Sequence, residues 1–235
     1  CTCKVCSSTD VHDKRLRASA LVEAGGTRIL IDCGPDFRQQ MLGQEFKKID
    51  AVLLTHVHYD DVGGIDDLRP FCVFGRIDVF SDLTTAERLR LSIPYCFGKN
   101  KYPGVPNISL NVIRPHQALR IGGIDVMPVQ VMHDKLPILG YRLGDLMYIT
   151  DMKTISDNEL EFFYGVKVLV VNALRFTPDH HSHLTVGQAV AFARKVGAEY
   201  TFFTHMGHDI GLHEDVNRML PDGIKLAYDG QIFGF

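Results

Sequence analysis

Residues 51–64 read AVLLTHVHYDDVGG, an apolar run, Ala51 to Thr55, that ends in His56, His58, Asp60 and Asp61 before Gly63 and Gly64. The run predicts a buried strand, because short stretches rich in Val and Leu that stop at turn residues fit the pleated interior of a sheet. Imidazole nitrogens and carboxylate oxygens are the donors that zinc, manganese and iron take. A strand-to-loop junction lets side chains two apart aim at one point, so four donors in six residues read as half of a metal centre.

Outward from this stretch, apolar runs recur along the whole chain. Strands are predicted at Ala18–Glu23, Arg28–Asp32, Ile77–Ser81, Ile108–Ile113, Ile124–Met132 and Leu139–Leu143. Further runs follow at Met147–Thr150, Val166–Asn172, Tyr200–Thr204, Ile224–Tyr228 and Ile232–Phe235. Helical periodicity marks Leu83–Leu91, Ile155–Phe163, Thr185–Val196 and Leu212–Leu220, with Gly197 a natural stop for the third. Such an alternation implies sheets covered by helices. No long linker or fixed-period repeat interrupts the chain, so residues 1–235 are expected to form one domain. The loop Phe97–Asn107, with two glycines and two prolines, is a candidate flap over a pocket.

With 46% hydrophobic and 23% charged residues in 235, the chain has the composition of a globular protein. A net charge of -3 gives no global basic surface, which disfavours large nucleic acids and leaves any phosphate-bearing partner to local metals or arginines. The apolar runs fall short of the roughly 20 residues of a membrane helix. No signal peptide is visible and a cytoplasmic protein is expected, with room for native sequence ahead of Cys1. Three of six cysteines crowd together as Cys1, Cys3 and Cys6. Thiols that close cannot easily pair with one another, so they read as metal ligands.

The run His56-x-His58-x-Asp60-Asp61 resembles the HxHxDH signature of the metallo-β-lactamase superfamily. Three later positions match the family's remaining ligands in order: His133 in MPVQVMHDK, Asp151 in MYITD and His205 in YTFFTH. The resemblance implies an αββα four-layer sandwich with two divalent ions, zinc or manganese. His56, His58 and His133 would hold the first ion, Asp60 and His205 the second, and Asp151 would bridge them. Such a pair activates a water and neutralises charge developing at phosphorus. Asp61 stands where the family has its last signature histidine. A carboxylate there is harder and adds negative charge, which favours manganese or weakens the second ion.

Asp32, at the end of RILIDCG, matches an aspartate that orients a ligand in the family; alternatively it caps the turn at Gly34-Pro35. Cys1, Cys3 and Cys6 lack a fourth ligand for a tetrahedral structural zinc, and His208 in THMGH supplies one. That pairing resembles the phosphoribosyl cyclic phosphate phosphodiesterases of phosphonate breakdown. In the same subfamily a loop histidine protonates the leaving alkoxide, and the match selects His183 from His180-His181-Ser182-His183, with Thr185 the competing helix cap. Arg69 and Arg175 lie near the ligand loops and are candidates to fork onto a phosphate, although Arg69 has Asp66 and Asp67 as rival partners.

The expected function is therefore hydrolysis of a small cyclic or diester phosphate such as phosphoribosyl 1,2-cyclic phosphate, by a monomer or homodimer. A ribonuclease of the RNase Z type shares the metal ligands but carries a long arm for transfer RNA. From another class, a metal-binding sensor weakened at Asp61 would keep the fold and bind phosphate without turnover.

Overall fold

The computed structural model describes residues 1–98 and 102–235, so three residues of the expected flap, 99–101, lie outside it. The chain forms two compact units: residues 17–127, and residues 1–16 together with 128–235.

The unit of residues 17–127 is built on a five-stranded sheet in the order β1 (Ala20–Ala24), β2 (Thr27–Ile31), β3 (Ala51–Leu53), β4 (Ile77–Ser81) and β5 (Ile108–Val112). A hairpin joins β1 to β2, and β2 through β5 run parallel. Every residue of β2 and β3 is buried, and β3 and the end of β2 from Ile29 read as continuous apolar runs instead of alternating ones. Leu30 and Val52 join Phe37, Leu68, Val79 and Leu89 in one core. Because Ile31 lies opposite Leu53 on parallel strands, both strands stop at the same edge. Asp32 leaves one of them and Thr55-His56 the other.

The second unit carries most of a seven-stranded sheet. Its order is β12 (Ile224–Leu226), β11 (Tyr200–Thr204), β10 (Val168–Asn172), β9 (Leu146–Tyr148), β8 (Leu136–Leu143), β7 (Ile124–His133) and β6 (Leu119–Ile121). Strands β9 to β12 are parallel, so the residues after β9 and β11 emerge at one edge; these are Asp151 and His205. The helix Val186–Val196 buries Val186, Ala189, Phe192, Ala193 and Val196, an apolar stripe at helical spacing. Thr185 and Gln188 cap it reciprocally, and Gly197 ends it at φ 72°, where a side chain on Cβ would be strained.

Most predicted strands and helices are present, with shifted ends. Ile232–Phe235 is not a strand, and Ile232 is 89% exposed. Strand β6 was not expected, nor were the helices Phe37–Leu42 and Tyr59–Val62 or the 3-10 stretch Ile65–Phe74. Elements this short show too few turns for a periodic pattern to register.

One contact fixes the ligand loop onto its neighbour. Cys33 N–H donates to Asp61 C=O at 2.7 Å and Gly64 N–H to Cys33 C=O at 2.8 Å, which presses two backbones together. A Cβ on Gly34 would lie 2.0 Å from the Asp60 carbonyl, and one on Gly64 would lie 2.1 Å from the Gly34 carbonyl. Gly34→Ala is therefore expected to destabilise by about 1–3 kcal/mol as an overpacked contact. Gly43→Ala, which meets nothing within 4 Å, serves as control. Equal urea midpoints for the two variants would show that the backbone contact is not tight.

Candidate metal centre

In the unit of residues 17–127 the Asp32 carboxylate is fully buried. It accepts the Thr55 N–H at 2.8 Å and the Thr55 hydroxyl at 3.0 and 3.1 Å. Thr55 Oγ1 in turn lies 3.0 Å from His56 Nδ1. The hydroxyl has one proton and gives it to a carboxylate that can only accept, so His56 Nδ1–H must be the donor to Thr55. That fixes the tautomer and leaves the lone pair on His56 Nε2. Asp32 thus supports a candidate ligand through Thr55, a relay that sequence reading missed because Thr55 looked like strand.

His56 Nε2 lies 2.9 Å from His58 Nδ1 and 3.4 Å from Asp61 Oδ2. His56 and Asp61 are 2% and 1% exposed, whereas His58 faces outward. Asp61 is therefore not turned to solvent: its carboxylate stands beside a candidate ligand nitrogen. Asp60 sits half-buried in the helix Tyr59–Val62, which follows His58. Arg69 donates to Asp66 at 2.9 Å, the rival pairing foreseen for it.

In the second unit Asp151 is 2% exposed and lies at φ 55°, in the left-handed region, as His205 does at 53°. The Thr150 hydroxyl donates to Asp151 Oδ2 at 2.6 Å. Its Oδ1 meets His183 Nε2 at 2.7 Å and His205 Nε2 at 3.2 Å. His133 Nδ1–H faces two main-chain carbonyls, Asp151 at 2.8 Å and Ser182 at 3.0 Å, which again fixes a tautomer with Nε2 available. His133, Asp151 and His183 each offer a donor atom, all within 4.8 Å of one another. Two further groups escaped the sequence reading: the Ser182 hydroxyl and His180 Nδ1 both lie 3.0 Å from His183 Nδ1. Arg175 is spent on the Pro178 carbonyl at 3.0 Å and on Asp209 at 3.8 Å.

Cys1, Cys3, Cys6 and His208 form another such group, also within 4.8 Å. Cys1 Sγ and Cys3 Sγ lie 3.5 and 3.2 Å from His208 Nδ1. Bonds of roughly 2.3 Å to sulfur and 2.0–2.1 Å to nitrogen around a tetrahedral ion put such atoms about 3.5 Å apart, so the donor set fits a structural metal. The Cys6 N–H, then the His208 ring, draw the Cys3 thiol down to about 7, and the Cys3 contact raises His208. His12 and His213, given no role from sequence, stack with ring centroids 5.0 Å apart, while Asp13 accepts the His213 N–H at 2.8 Å. They hold the chain start beside this cluster's segment. Cys33 and Cys96 are fully buried core residues.

Residues 27–206 match the beta-lactamase superfamily domain, a span crossing both units, and the chain belongs to this family. It has the metallo-β-lactamase fold, and its imidazoles and carboxylates form groups that could hold a metal ion. The crystal structure of a diphosphatase from the PhnP family superposes with a TM-score of 0.92 at 38% identity, covering all of this chain and 90% of that one. An octanoyltransferase of Porphyromonas gingivalis is 41% identical over 231 residues, 98% of this chain, which spans 47% of that relative's length. A ribonuclease Z of Bradyrhizobium diazoefficiens is 49% identical over 284 aligned positions, covering 93% of this chain and 92% of that enzyme. Among the described residues no helix is long and apolar enough to cross a membrane.

Replacing His208 by Ala is expected to lower the metal content by about one ion per chain and to reduce the melting temperature, because closed sites of this kind contribute folding energy. Elemental analysis and calorimetry on both proteins decide it; an unchanged metal count and melting temperature exclude a bound ion there.

Proposed function

We propose that the chain hydrolyses a small cyclic or diester phosphate, with phosphoribosyl 1,2-cyclic phosphate the model substrate. The observation that carries this reading is the Asp151 carboxylate, buried and approached on one oxygen by two imidazoles, His183 and His205. The full-length similarity to a diphosphatase of the PhnP family supports phosphate ester chemistry. By the family pattern, His56, His58, His133, Asp60, His205 and Asp151 would hold the divalent ions, and Asp61 lies beside His56. When bound, two such ions supply an activated water and neutralise charge at phosphorus. Zinc or manganese suits these donors, and Cys1, Cys3, Cys6 and His208 take a structural zinc.

The remaining work falls to the chain's own side chains. Asp32 and Thr55 hold the His56 ring with Nε2 outward, and the two carbonyls at His133 Nδ1 do the same there. His183 Nε2 supplies the proton to the leaving alkoxide, a step worth about 10²–10⁴-fold. Arg69 is the arginine assigned to a phosphate oxygen, at the expense of its Asp66 contact.

The similarity to a ribonuclease Z supports a second reading, cleavage of RNA. Protein loaded with zinc or manganese should hydrolyse bis(p-nitrophenyl) phosphate and a cyclic ribose phosphate. If it instead cleaves only a precursor transfer RNA, the second reading holds. If it binds metal and hydrolyses none of these, it is a sensor. Asp151→Ala should lower kcat by well over the roughly 10–100-fold typical of losing a ligand's outer partner. A variant with undiminished kcat would remove Asp151 from the site. Asp61→His should raise turnover under limiting zinc, because imidazole suits zinc and brings no negative charge. Equal zinc titrations of the two proteins would make Asp61 as good a ligand as histidine.

A further inference from the structure

The segment between β10 and the helix Val186–Val196 carries His183 and has no regular structure of its own. Its ends are closed by backbone hydrogen bonds, Leu174 N–H to Leu184 C=O and Val186 N–H to Arg175 C=O, both 2.9 Å. Between them one cation reaches in from a different strand connection. Lys153 Nζ donates to Asp179 Oδ1 at 2.7 Å, to the main-chain carbonyl of His183 at 3.3 Å and to Gln188 Oε1 at 3.3 Å. An ammonium has three protons, and here all three have acceptors. The side chain is only 16% exposed, so the contacts are shielded more than a surface ion pair.

The anchor is itself rigid. Lys153 N–H donates to Met132 C=O at 2.8 Å, and Met132 N–H to Thr154 C=O at 2.9 Å, which fastens the Lys153 backbone beside the strand that ends in His133. Gln188, the third acceptor, also receives Thr185 N–H at 3.0 Å as part of the helix cap. One ammonium therefore ties together the front of the histidine loop, the His183 peptide and the first turn of the helix that follows. Without it, a carboxylate and two carbonyl oxygens would face one another with nothing between them.

We propose that Lys153 is a positioning residue for His183: it holds the loop so that Nε2 keeps its direction. The inference rests on the reading of His183 as proton donor to the leaving group. With every proton engaged, Lys153 is not a spare cation for substrate phosphate. Misplacement of a reacting group by about 1 Å can cost about 10²-fold, which sets the scale.

The test separates loop placement from general damage. A cyclic ribose phosphate expels an alkoxide and needs the proton; bis(p-nitrophenyl) phosphate expels a stable phenolate and needs it far less. The ratio of kcat on the first substrate to kcat on the second should fall about 10–100-fold in Lys153→Met and recover in Lys153→Arg, which keeps the charge and the donors. His183→Ala should lower the same ratio at least as much. In the metal-free protein, amide hydrogen exchange across residues 179–184 should accelerate in Lys153→Met and return toward the original rate in Lys153→Arg. If His183→Ala lowers the ratio but Lys153→Met does not, or exchange in the loop is unchanged, the positioning role is overturned. If exchange accelerates while His183→Ala slows both substrates alike, Lys153 still orders the loop, and it is the proton-donor reading of His183 that falls.

Discussion

A strand that ends in a left-handed residue turns sharply, and at three such ends this protein places a donor side chain: Asp32, Asp151 and His205, with φ of 59°, 55° and 53°. For a residue with a Cβ this backbone costs on the order of 1–3 kcal/mol, so it persists only where the surroundings over-determine it. They do so here. Asp32 is fixed through both carboxylate oxygens to Thr55, and Asp151 through Thr150 and the His133 ring on its own carbonyl. The parallel strands beneath supply the rigidity, since β2 is locked in register to β3 and β9 to β10. The imidazoles inherit their orientation from these turns. His56 is held by what Asp32 does to Thr55, and His133 by where the Asp151 peptide points.

The candidate donors are legible in the sequence because they sit where apolar runs stop, and a stop is a local signal. His56 and His58 can be chosen as candidates on that ground, whereas His133, Asp151 and His205 are picked out by the family resemblance. The partners that tune them were not legible. Thr55 continues the apolar run that precedes it, Ser182 and His180 differ little from the other polar residues around them, and Lys153 looks like any surface lysine. Each acquires meaning only through groups that folding brings near. The short helices around Asp36 and Asp60 were hidden for another reason: with four to six residues and a single buried side chain each, they carry no amphipathic stripe. The tail Ile232–Phe235 shows the reverse error, since an apolar run predicts a strand only if a ladder exists to receive it.

The fold by itself says little about substrate. The short form of human tRNase Z shares it with a TM-score of 0.72 at 14% identity, a likeness of architecture alone. The chemistry of this chain lies in the side chains set on that frame, among them a carboxylate at position 61, the thiols Cys1, Cys3 and Cys6, and a histidine loop held by a lysine. Asp61 matters most among them. It is buried against His56, so its charge is felt within the donor cluster instead of being screened by water.

One compact unit combines residues 1–16 with residues 128–235, and this has a consequence for biosynthesis. Residues 17–127 can fold as soon as they emerge, since their parallel strands find partners within the same stretch. The first sixteen residues cannot. Asp13 finds the His213 amide two hundred positions later, and Cys1 and Cys3 meet His208 only when that segment is made. At roughly 5–20 residues per second, the segment with its three thiols waits on the order of 10–40 s for its partners to be made. During that interval the nascent chain carries three thiols without the imidazole that joins their cluster in the completed fold, open to whatever metals and oxidants surround the ribosome.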